Sequence, residues 1–493
     1  MENLAEHING LAPTKPVKDG DADAPIGESY VTEALRRAVA AVLNRPPEEI
    51  DPEKPMNSFA IDSLRAVEIK VFLETRHGIL VAAESLQSST PLCLVSSSRA
   101  NKSGPDPAIF WRDGVLDLGL TPVFGGAAKY DVLVTGGTGM VGSHLIANLI
   151  KNTKGLLYCL VRNVGQVPGP RRLARKLQAV GVNKADINDR VVPLKGDVAR
   201  PDLGLPPETL NQLAEDVGTI YHNAAELNFL RPYEKLKPVN VDGTRNILAL
   251  AAKTRRKKVA HVSSVSVLET LVRSGRSLDE NTPLDHPESL ATGYAQSKWV
   301  ADLLAMRARD RGFDVRIFRP PWILAPVVGA SESSGFIARF LQTCIALGAI
   351  PDSQFGWNIV TPDFVAQAIT EGMTTNGQEQ AVYHLGSSKL LYNRAFHKAF
   401  AQAGVNLELI PTQDWKKLFK ASLIGDRKTP LQPLASLFFQ NTDGANAADS
   451  YVEGRLPVMD STATLAALAA AGVYEKSPDP VEFIRQTVLE QSG

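Results

Sequence analysis

The first residues of the chain combine an aperiodic stretch with a helical pattern of apolar positions. Residues 1–27 are rich in Pro, Gly, Asp and Ala and lack apolar periodicity, which predicts a flexible leader. From Tyr30 to Leu43 apolar residues return every three or four positions, and Pro46-Pro47 then ends the pattern. This spacing predicts a helix that begins close to residue 30.

A second helical pattern follows after a short loop. The segment SLRAVEIKVFLETRHG runs from Ser63 to Gly78, with Asp62 in the position of an N-cap. Shorter helical pieces come next, and then a stretch rich in Ser, Gly and Pro. We therefore predict a small all-α domain of four helices over residues 28–100 and a linker over residues 101–128.

The pattern changes after Tyr130, where short apolar runs alternate with helical stretches. The runs typical of strands are YDVLVTG, LLYCLVR, RVVPLKGD, TIYHNAA, KVAHVSSVSV and FDVRIFRP. Successive runs are far enough apart for a crossover helix, which predicts an α/β, Rossmann-like doubly wound parallel sheet over residues 129–325. Over residues 326–493 the alternation loosens into helices rich in Phe, Leu and Trp, which predicts a mainly helical part that covers a substrate.

Composition and charge narrow the class of protein. A length of 493 residues indicates two to four domains, and 44% hydrophobic with 22% charged residues is typical of a globular protein. Lys and Arg total 53, as do Asp and Glu, so a formal net charge of zero provides no field that would attract nucleic acid or an anionic membrane.

Targeting segments and the spacing of the cysteines narrow the class of protein further. The opening residues, MENLAEHINGLAP, lack the basic start of a secretory signal. The longest nearly apolar stretch, around residues 462–473, is shorter than the ~20 residues that span a bilayer. Cys93, Cys159 and Cys344 fit neither a disulfide framework nor a zinc site. We expect reduced thiols, no metal and a cytoplasmic protein.

Ser63 is the first candidate for chemistry. It stands at a predicted helix start, after Asp62 and between the apolar Ile61 and Leu64, where an enzyme could reach it; ordinary helix capping would also place a serine there. Residues 57–75 resemble the carrier domains of polyketide and nonribosomal peptide synthases. The resemblance implies that a phosphopantetheinyl transferase attaches 4′-phosphopantetheine to Ser63, and that the arm holds an acyl or peptidyl thioester.

A glycine-rich loop is the second candidate. The segment TGGTGMVG follows the strand DVLV and precedes a predicted helix, as expected where a backbone turn and free helix N–H groups bind a pyrophosphate. Its spacing resembles the extended short-chain dehydrogenase/reductase family. The loop residues assigned to the cofactor are Gly136, Thr138, Gly139, Met140, Val141 and Gly142.

The second predicted strand indicates which dinucleotide binds. An NAD-specific site would have an acidic residue about 20 residues past the glycines, but Arg162 stands there. Its guanidinium would pair with a 2′-phosphate, assisted by Arg171 or Arg172, which favours NADPH; a solvated arginine is the alternative. The family resemblance adds three further cofactor contacts: Asp197, Val198 and Asn223.

Tyr294 and Lys298 form a candidate catalytic pair. They lie four residues apart in the predicted helix TGYAQSKWVADLLAM and therefore share a face. The lysine would lower the tyrosine pKa from near 10 towards the working range and could hold the nicotinamide ribose. At the end of the strand KVAHVSSVSV, Ser264 aligns with the Ser or Thr of the family, and Ser263 is the alternative because side chains alternate along a strand.

Longer segments extend the resemblance to a subfamily. The segments IYHNAAELNFLRPYEKLKPVNVDGTRNILALA, GYAQSKWVAD and FLQTCIALGAIPD…TPDFVAQAI resemble thioester reductase domains, over roughly residues 129–493. One position differs: Pro321 follows Arg319-Pro320, where that family commonly has glycine. With the carrier-like module, the resemblance implies a carrier–thioester reductase didomain of polyketide or nonribosomal peptide synthases.

The resemblance implies a reductive release reaction. An acyl thioester on the Ser63 arm would be reduced with NADPH to an aldehyde, with onward reduction to an alcohol left open. Tyr294 would protonate the oxygen, Ser264 would stabilise the oxyanion, and Lys298 would support both tyrosine and cofactor. Upstream synthase domains would load the arm. The alternatives are a redox-neutral Dieckmann-type cyclising release domain, a non-catalytic nucleotide-binding scaffold, and a nucleotide-sugar epimerase fused to a carrier.

Overall fold

The computed structural model divides the chain into two compact units, Met1–Lys102 and Ser103–Gly493. The residues that the structure describes are 28–43, 45–51, 54, 69, 73, 106–125, 129–163, 167–274, 277–285, 287–324, 335–353, 356–374, 381–423, 429–439, 441–442, 445–446 and 458–489.

The first unit contains the helix that the periodicity predicts. Helix α1 spans Glu28–Leu43 and is followed by a 3₁₀ turn, Pro47–Glu49. Arg36 joins the two, since its Nη2 donates to the carbonyl of Pro47 at 3.0 Å. The buried face of α1 includes Ala34, Leu35, Ala38 and Val39.

The predicted second helix of this unit is described at two positions. Ile69 and Leu73 are helical and fully buried, at the spacing of one helical turn. Ser63 and the rest of the expected four-helix domain lie outside the described residues.

The second unit is built on a parallel sheet, which confirms the Rossmann-like prediction. Its strands are β1 (Asp131–Thr135), β2 (Leu157–Val161), β3 (Val191–Lys195), β4 (Val217–His222), β5 (Lys258–Val262), β6 (Asp314–Arg319) and β7 (Val382–His384). In the described part of the unit these seven strands follow the order β7-β6-β5-β4-β1-β2-β3. The order reverses between β1 and β4, and such a switch point opens a crevice at the carboxyl ends of the strands.

The described helices of the second unit cover both faces of this sheet and continue into the part of the unit beyond it. They are α2 (Ala108–Asp113), α3 (Met140–Asn152), α4 (Gly169–Ala179), α5 (Lys184–Arg190), α6 (Pro207–Asp216), α7 (Tyr233–Lys237), α8 (Gly243–Ala251), α9 (Gly293–Asp310), α10 (Phe336–Leu347), α11 (Pro362–Thr374), α12 (Asn393–Gln402), α13 (Thr412–Ser422), α14 (Ser436–Phe439), α15 (Thr462–Ala470) and α16 (Pro480–Phe483). Short 3₁₀ or π segments lie at Pro201–Gly204, Pro238–Asp242, Val265–Ser274, Pro287–Ser289, Gln432–Leu434 and Ile484–Leu489.

Short two-stranded ribbons occur outside the main sheet. They pair Trp322–Ile323 with Ile359–Val360, Ala349–Asp352 with Glu408–Pro411, Gly356–Trp357 with Leu391–Tyr392, Asn441–Thr442 with Ala445–Asn446, and Ser277–Leu278 with Val458–Met459.

The alternation of side chains along each strand creates two cores. Leu133 of β1 joins a core on one face with Trp299 of α9, whereas its neighbours Val132 and Val134 join a core on the other face with Leu145 of α3. Strand β2 is buried at all five positions because helices cover it on both sides.

Two boundaries differ from the predictions. Strand β7 and helix α11 belong to the sheet layer although they come from the part predicted to be mainly helical, so the sheet is not complete at residue 325. Strand β5 ends at Val262, and the predicted run KVAHVSSVSV continues as a 3₁₀ segment from Val265.

The predicted linker also differs, because residues 106–125 pack onto the second unit. Phe110 of α2 is buried and meets the ring of Tyr233 edge-on at 4.9 Å. Trp111 meets Trp299 of α9 in the same way at 4.9 Å. The apolar side chains that follow the polar stretch therefore make this segment part of the fold.

No helix among the described residues has the length and apolar character needed to cross a bilayer. Cys159 and Cys344 are buried free thiols, and Cys93 lies outside the described residues.

Candidate active site

The glycine loop joins β1 to α3, and its glycines leave the backbone of the turn uncovered by side chains. Gly136 has φ +71°, a left-handed conformation that side chains rarely adopt, and the N–H of Gly139 donates to its carbonyl at 3.0 Å. A Cβ on Gly142 would overlap the Gly136 carbonyl, and a Cβ on Gly136 would lie 2.8 Å from the nitrogen of Ala224. The tight turn and open helix start fit the pyrophosphate of a dinucleotide.

The remaining predicted loop residues surround this turn. Thr138 and Val141 are partly exposed, whereas Gly139 and Met140 are exposed at the first turn of α3. Asn223, directly after β4, donates from Nδ2 to the Gly136 carbonyl at 3.3 Å. The structure therefore brings Asn223 and the glycine loop together at the switch point.

Arg162 lies exposed at the end of β2, as the sequence predicts. Nη2 of Arg172, on α4, donates to the backbone carbonyl of Arg162 at 2.9 Å. The side chain of Asn163 accepts from the N–H of Gly169 at 3.0 Å. Arg172 therefore contacts Arg162, whereas the neighbouring Arg171 is exposed. The role of Arg162 at a 2′-phosphate stays a prediction.

Asp197 and Val198 follow β3. Asp197 accepts from the N–H of Ala199 at 3.0 Å. Val198 is buried against Gly243 of α8, and its carbonyl accepts from Asn246 at 2.8 Å. That Asp197 and Val198 contact the cofactor stays a prediction.

Tyr294 and Lys298 lie in the first turns of α9, which begins with Thr292 as N-cap. Both side chains are buried, and the Nζ of Lys298 donates to the Val262 carbonyl at the end of β5, at 2.7 Å. The hydroxyl of Ser264, two residues further on, hydrogen-bonds to the Tyr294 phenol. The three residues predicted as the catalytic set are thus brought together.

Ser263 points to a different neighbour. Its hydroxyl donates to Oδ2 of Asp302 at 2.5 Å in the buried interior. Ser264 is partly exposed and accepts from the N–H and hydroxyl of Ser266 at 3.2 and 3.0 Å. Of the two serines left open by the sequence, Ser264 is the one placed beside Tyr294.

Burial overturns one expectation about the catalytic pair. Desolvation raises the pKa of Tyr294 to about 12; the Ser264 hydrogen bond opposes this rise, and the charge of Glu269 adds to it. The predicted net lowering of the tyrosine pKa is therefore wrong, because burial disfavours the phenolate more than the neighbouring hydrogen bond favours it. Desolvation also lowers the pKa of Lys298 to about 8, and Asp302 opposes that shift.

Aromatic rings beside Tyr294 were missed from the sequence. The ring of Phe229 lies edge-on to Tyr294 at 5.8 Å, and Trp322 stacks on Phe336 at 5.5 Å. Phe229 and Trp322 are partly exposed, so they present an apolar surface next to the phenol. Because Phe229 and Trp322 are far apart in the chain, no local pattern could have grouped them.

Two protein families match this chain. Residues 33–95 match the family described as phosphopantetheine attachment site, and residues 134–369 match the family described as male sterility protein, an NAD-binding family. The matches support the two cofactor classes that were predicted, a phosphopantetheine and a nicotinamide dinucleotide.

Individual relatives and solved structures agree with these families. The chain is 31% identical to the L-2-aminoadipate reductase large subunit of Eremothecium gossypii over 65% of this chain, but it spans only 24% of that protein. It is 32% identical to the terminal R domain from the myxalamid PKS-NRPS biosynthetic pathway, covering 78% of this chain and 97% of that one with a TM-score of 0.67. A thiolation-reductase di-domain from an archaeal non-ribosomal peptide synthetase shares the fold over 94% of this chain and 98% of that one, at 19% identity and a TM-score of 0.68.

The sheet, the bare glycine turn and the serine–tyrosine–lysine cluster define an oxidoreductase of the extended short-chain type. With the carrier match at its amino-terminal side, the chain belongs to the family of carrier-linked thioester reductases, the reductase domains of nonribosomal peptide and polyketide synthases.

Proposed function

We propose that this chain reduces an acyl thioester, carried by phosphopantetheine on Ser63, to an aldehyde with NADPH. The observation that carries the proposal is the cluster in which Ser264 bonds Tyr294 while Lys298 binds the Val262 carbonyl, at the same end of the sheet as the glycine loop. A cofactor site and a proton donor at one sheet edge are what carbonyl reduction requires.

The residues that would hold the cofactor come from the glycine turn with α3, from the end of β2 with α4, and from α9. The Gly136–Gly142 turn and the start of α3 would bind the pyrophosphate, and Lys298 would bind the nicotinamide ribose. Arg162, with Arg172 behind it, would bind the 2′-phosphate. When bound, the nicotinamide supplies the hydride that the thioester carbonyl carbon accepts.

Tyr294 acts as the proton donor to the carbonyl oxygen. With a pKa near 12 the phenol is protonated at neutral pH, so it can give its proton as negative charge develops on the oxygen. The hydroxyl of Ser264 stabilises that charge by hydrogen bonding, and the Lys298 ammonium then stabilises the phenolate. Addition of hydride and proton gives a thiohemiacetal, whose C–S bond then breaks. The hydroxyl proton goes to the departing sulfur, so the products are the aldehyde and the free phosphopantetheine thiol. This arrangement favours reduction over a redox-neutral cyclisation, which has no use for a proton donor paired with a cofactor site.

The aromatic rings next to Tyr294 would contact the acyl group. Phe229 and Trp322 present partly exposed faces there, supported by the buried Phe336. Apolar rings at this position exclude water from the reacting carbonyl and strengthen the hydrogen bonds that polarise it.

The test loads the arm and then follows its reduction. The chain is incubated with acyl-coenzyme A and a phosphopantetheinyl transferase, intact mass reports loading, and aldehyde is measured after NADPH is added. We expect Ser63→Ala to abolish loading while NADPH still binds, because the carrier and reductase sites belong to separate units.

Tyr294→Phe separates chemistry from binding in the same assay. We expect normal loading and near-normal cofactor affinity, with turnover lower by about 10²-fold or more, the scale of losing a general acid. Phosphopantetheine retained by Ser63→Ala would disprove the carrier assignment, and unchanged aldehyde formation by Tyr294→Phe would remove that residue from the mechanism.

A further inference from the structure

A buried ion pair lies directly behind the catalytic cluster. Asp302 of α9 and Arg319 at the end of β6 are both fully buried. They pair through two contacts, Nε–Oδ2 and Nη2–Oδ1, each 3.0 Å long. Removing two charges from water is costly, and such a pair persists only when hydrogen bonds satisfy it on every side.

On one side the ion pair holds Ser263, the residue just before Ser264. Oδ2 of Asp302 accepts a hydrogen bond from the Ser263 hydroxyl at 2.5 Å, while the N–H of Ser263 donates to the Phe318 carbonyl at 2.7 Å. The N–H of Val265 donates to the Pro320 carbonyl at 3.0 Å. Ser264 therefore lies between two anchored residues, and its hydroxyl is left to face Tyr294.

On the other side Asp302 lies one helical turn beyond Lys298. Tyr294, Lys298 and Asp302 follow one another at four-residue spacing on α9, so they share one face. The carboxylate is an anion close to a buried ammonium, and its charge favours the protonated form of that ammonium.

The guanidinium is fixed from a third direction. Its Nη1 lies 3.3 Å from Nε2 of His384 on β7, and Nδ1 of that histidine lies 2.9 Å from the Asp460 carbonyl. A neutral His384 can donate from Nδ1 to the Asp460 carbonyl and accept at Nε2 from Arg319. In that protonation state both contacts are hydrogen bonds. The ion pair is thus held by α9, by strands β6 and β7, by Ser263 just after β5 and by the segment before α15.

We propose that Asp302, fixed by Arg319, is a positioning residue for the reduction. Through Ser263 it aims the hydroxyl of Ser264 at Tyr294, and as a buried anion it keeps the Lys298 ammonium charged. The proposal rests on the proposed function, because both effects act on the residues assigned to that reaction.

Charges from the neighbouring strands do not replace Asp302. His222 of β4 and His261 of β5 face Lys298, and burial keeps both uncharged by lowering their pKa values. Arg319 of β6 is a cation whose charge is balanced by Asp302 itself. Loss of the carboxylate therefore removes the charge that favours the protonated form of Lys298.

Three single variants of the full chain test the proposal: Asp302→Asn, Ser263→Ala and, as a matched control, Asp310→Asn at the exposed end of the same helix. Turnover, the KM for the thioester and NADPH affinity are measured between pH 6 and 10. For Asp302→Asn we expect at least a tenfold loss of kcat and an alkaline limb of kcat/KM displaced to lower pH, because Lys298 loses its proton more easily.

For Ser263→Ala the ion pair remains, so we expect about a tenfold loss of kcat with an unchanged alkaline limb and unchanged KM. Asp310→Asn should match the wild type throughout. An unchanged alkaline limb in Asp302→Asn, or an unchanged kcat in Ser263→Ala, would overturn the proposal.

Two further outcomes can be distinguished from a failure of the proposal about Asp302. If Asp302→Asn does not fold, Ser263→Ala decides the question by its kcat alone. If the wild type binds NADPH but reduces no thioester, the proposed function fails. The pH dependence of NADPH affinity in Asp302→Asn then still tests the effect of Asp302 on Lys298.

Discussion

Tyr294 shows how far burial changes a side chain from its behaviour in a sequence motif. The four-residue spacing to Lys298 suggested a phenolate stabilised by an ammonium, yet the Lys298 Nζ binds the Val262 carbonyl and the phenol is desolvated. A phenol that keeps its proton is suited to donating it. The four-residue spacing predicted that Tyr294 and Lys298 share a helix face. Burial of the phenol, which the spacing does not reveal, determines that Tyr294 is protonated.

Arg162 is the residue on which we expect cofactor choice to depend. It should form charge-assisted hydrogen bonds only to a 2′-phosphate, and one such contact contributes ~1.5 to 3 kcal/mol. We expect Arg162→Ala to weaken NADPH binding by roughly 10- to 150-fold and to leave NADH binding almost unchanged, as measured by isothermal titration.

Arg171 provides the comparison for that experiment. It is exposed and close in sequence, but Arg172 is the residue that contacts Arg162. Arg171→Ala should therefore weaken NADPH binding less than Arg162→Ala does. Equal affinity of the wild type for both cofactors would make Arg162 a solvated residue at a strand end and would end the assignment to NADPH.

Helix α2 is the element for which packing most clearly overrides the local sequence. It follows a polar stretch, yet Phe110 is buried against Tyr233, and the Tyr233 hydroxyl donates to Asp113 at 2.8 Å. Truncating a buried phenylalanine typically costs about 3 to 5 kcal/mol. We expect Phe110→Ala to lower the melting temperature of the reductase unit by several degrees.

The control for α2 is Val115→Ala, at a position just beyond the helix where the side chain is 54% exposed. It should melt close to the wild type. If Phe110→Ala also melted like the wild type, α2 would contribute nothing to stability and the segment would behave as the linker that the sequence predicted.

Strands proved more predictable than their ends. Each apolar run predicted as a strand overlaps one, because buried parallel strands are continuous apolar segments. The run KVAHVSSVSV overshoots because Ser263 leaves the sheet to bind Asp302, a contact between residues 39 positions apart. The aspartate–arginine pair and the aromatic rings next to Tyr294 likewise join distant segments, which no local period reveals.

At the scale of the whole molecule, buried histidines make stability depend on pH. Burial lowers the pKa of His222 to about 3 and lowers those of His261 and His384. Below pH 6.5 the unfolded chain binds protons that the native chain does not, so stability is lost as the pH falls. Each histidine contributes a slope of up to about 1.4 kcal/mol per pH unit.

We expect the free energy of unfolding to fall steeply between pH 7 and pH 5, and His261→Phe to reduce that slope. Both ring nitrogens of His261 lack a hydrogen-bond partner within the described part of the chain, so the apolar ring removes a titrating group without breaking a bond. Urea unfolding at several pH values measures the slope. An unaltered slope in His261→Phe would exclude that residue as a cause.

The origin of β7 has a consequence for how the protein is made. Strand β6 ends at Arg319, but its edge partner begins only at Val382, and the carbonyl that binds His384 belongs to Asp460. During synthesis on the ribosome, the edge of β6 therefore stays unpaired until most of the chain has emerged. Until then Arg319 also lacks its contact with His384. Open edges invite pairing with other chains. A nascent chain stalled before residue 382 should depend on chaperones to stay free of aggregation.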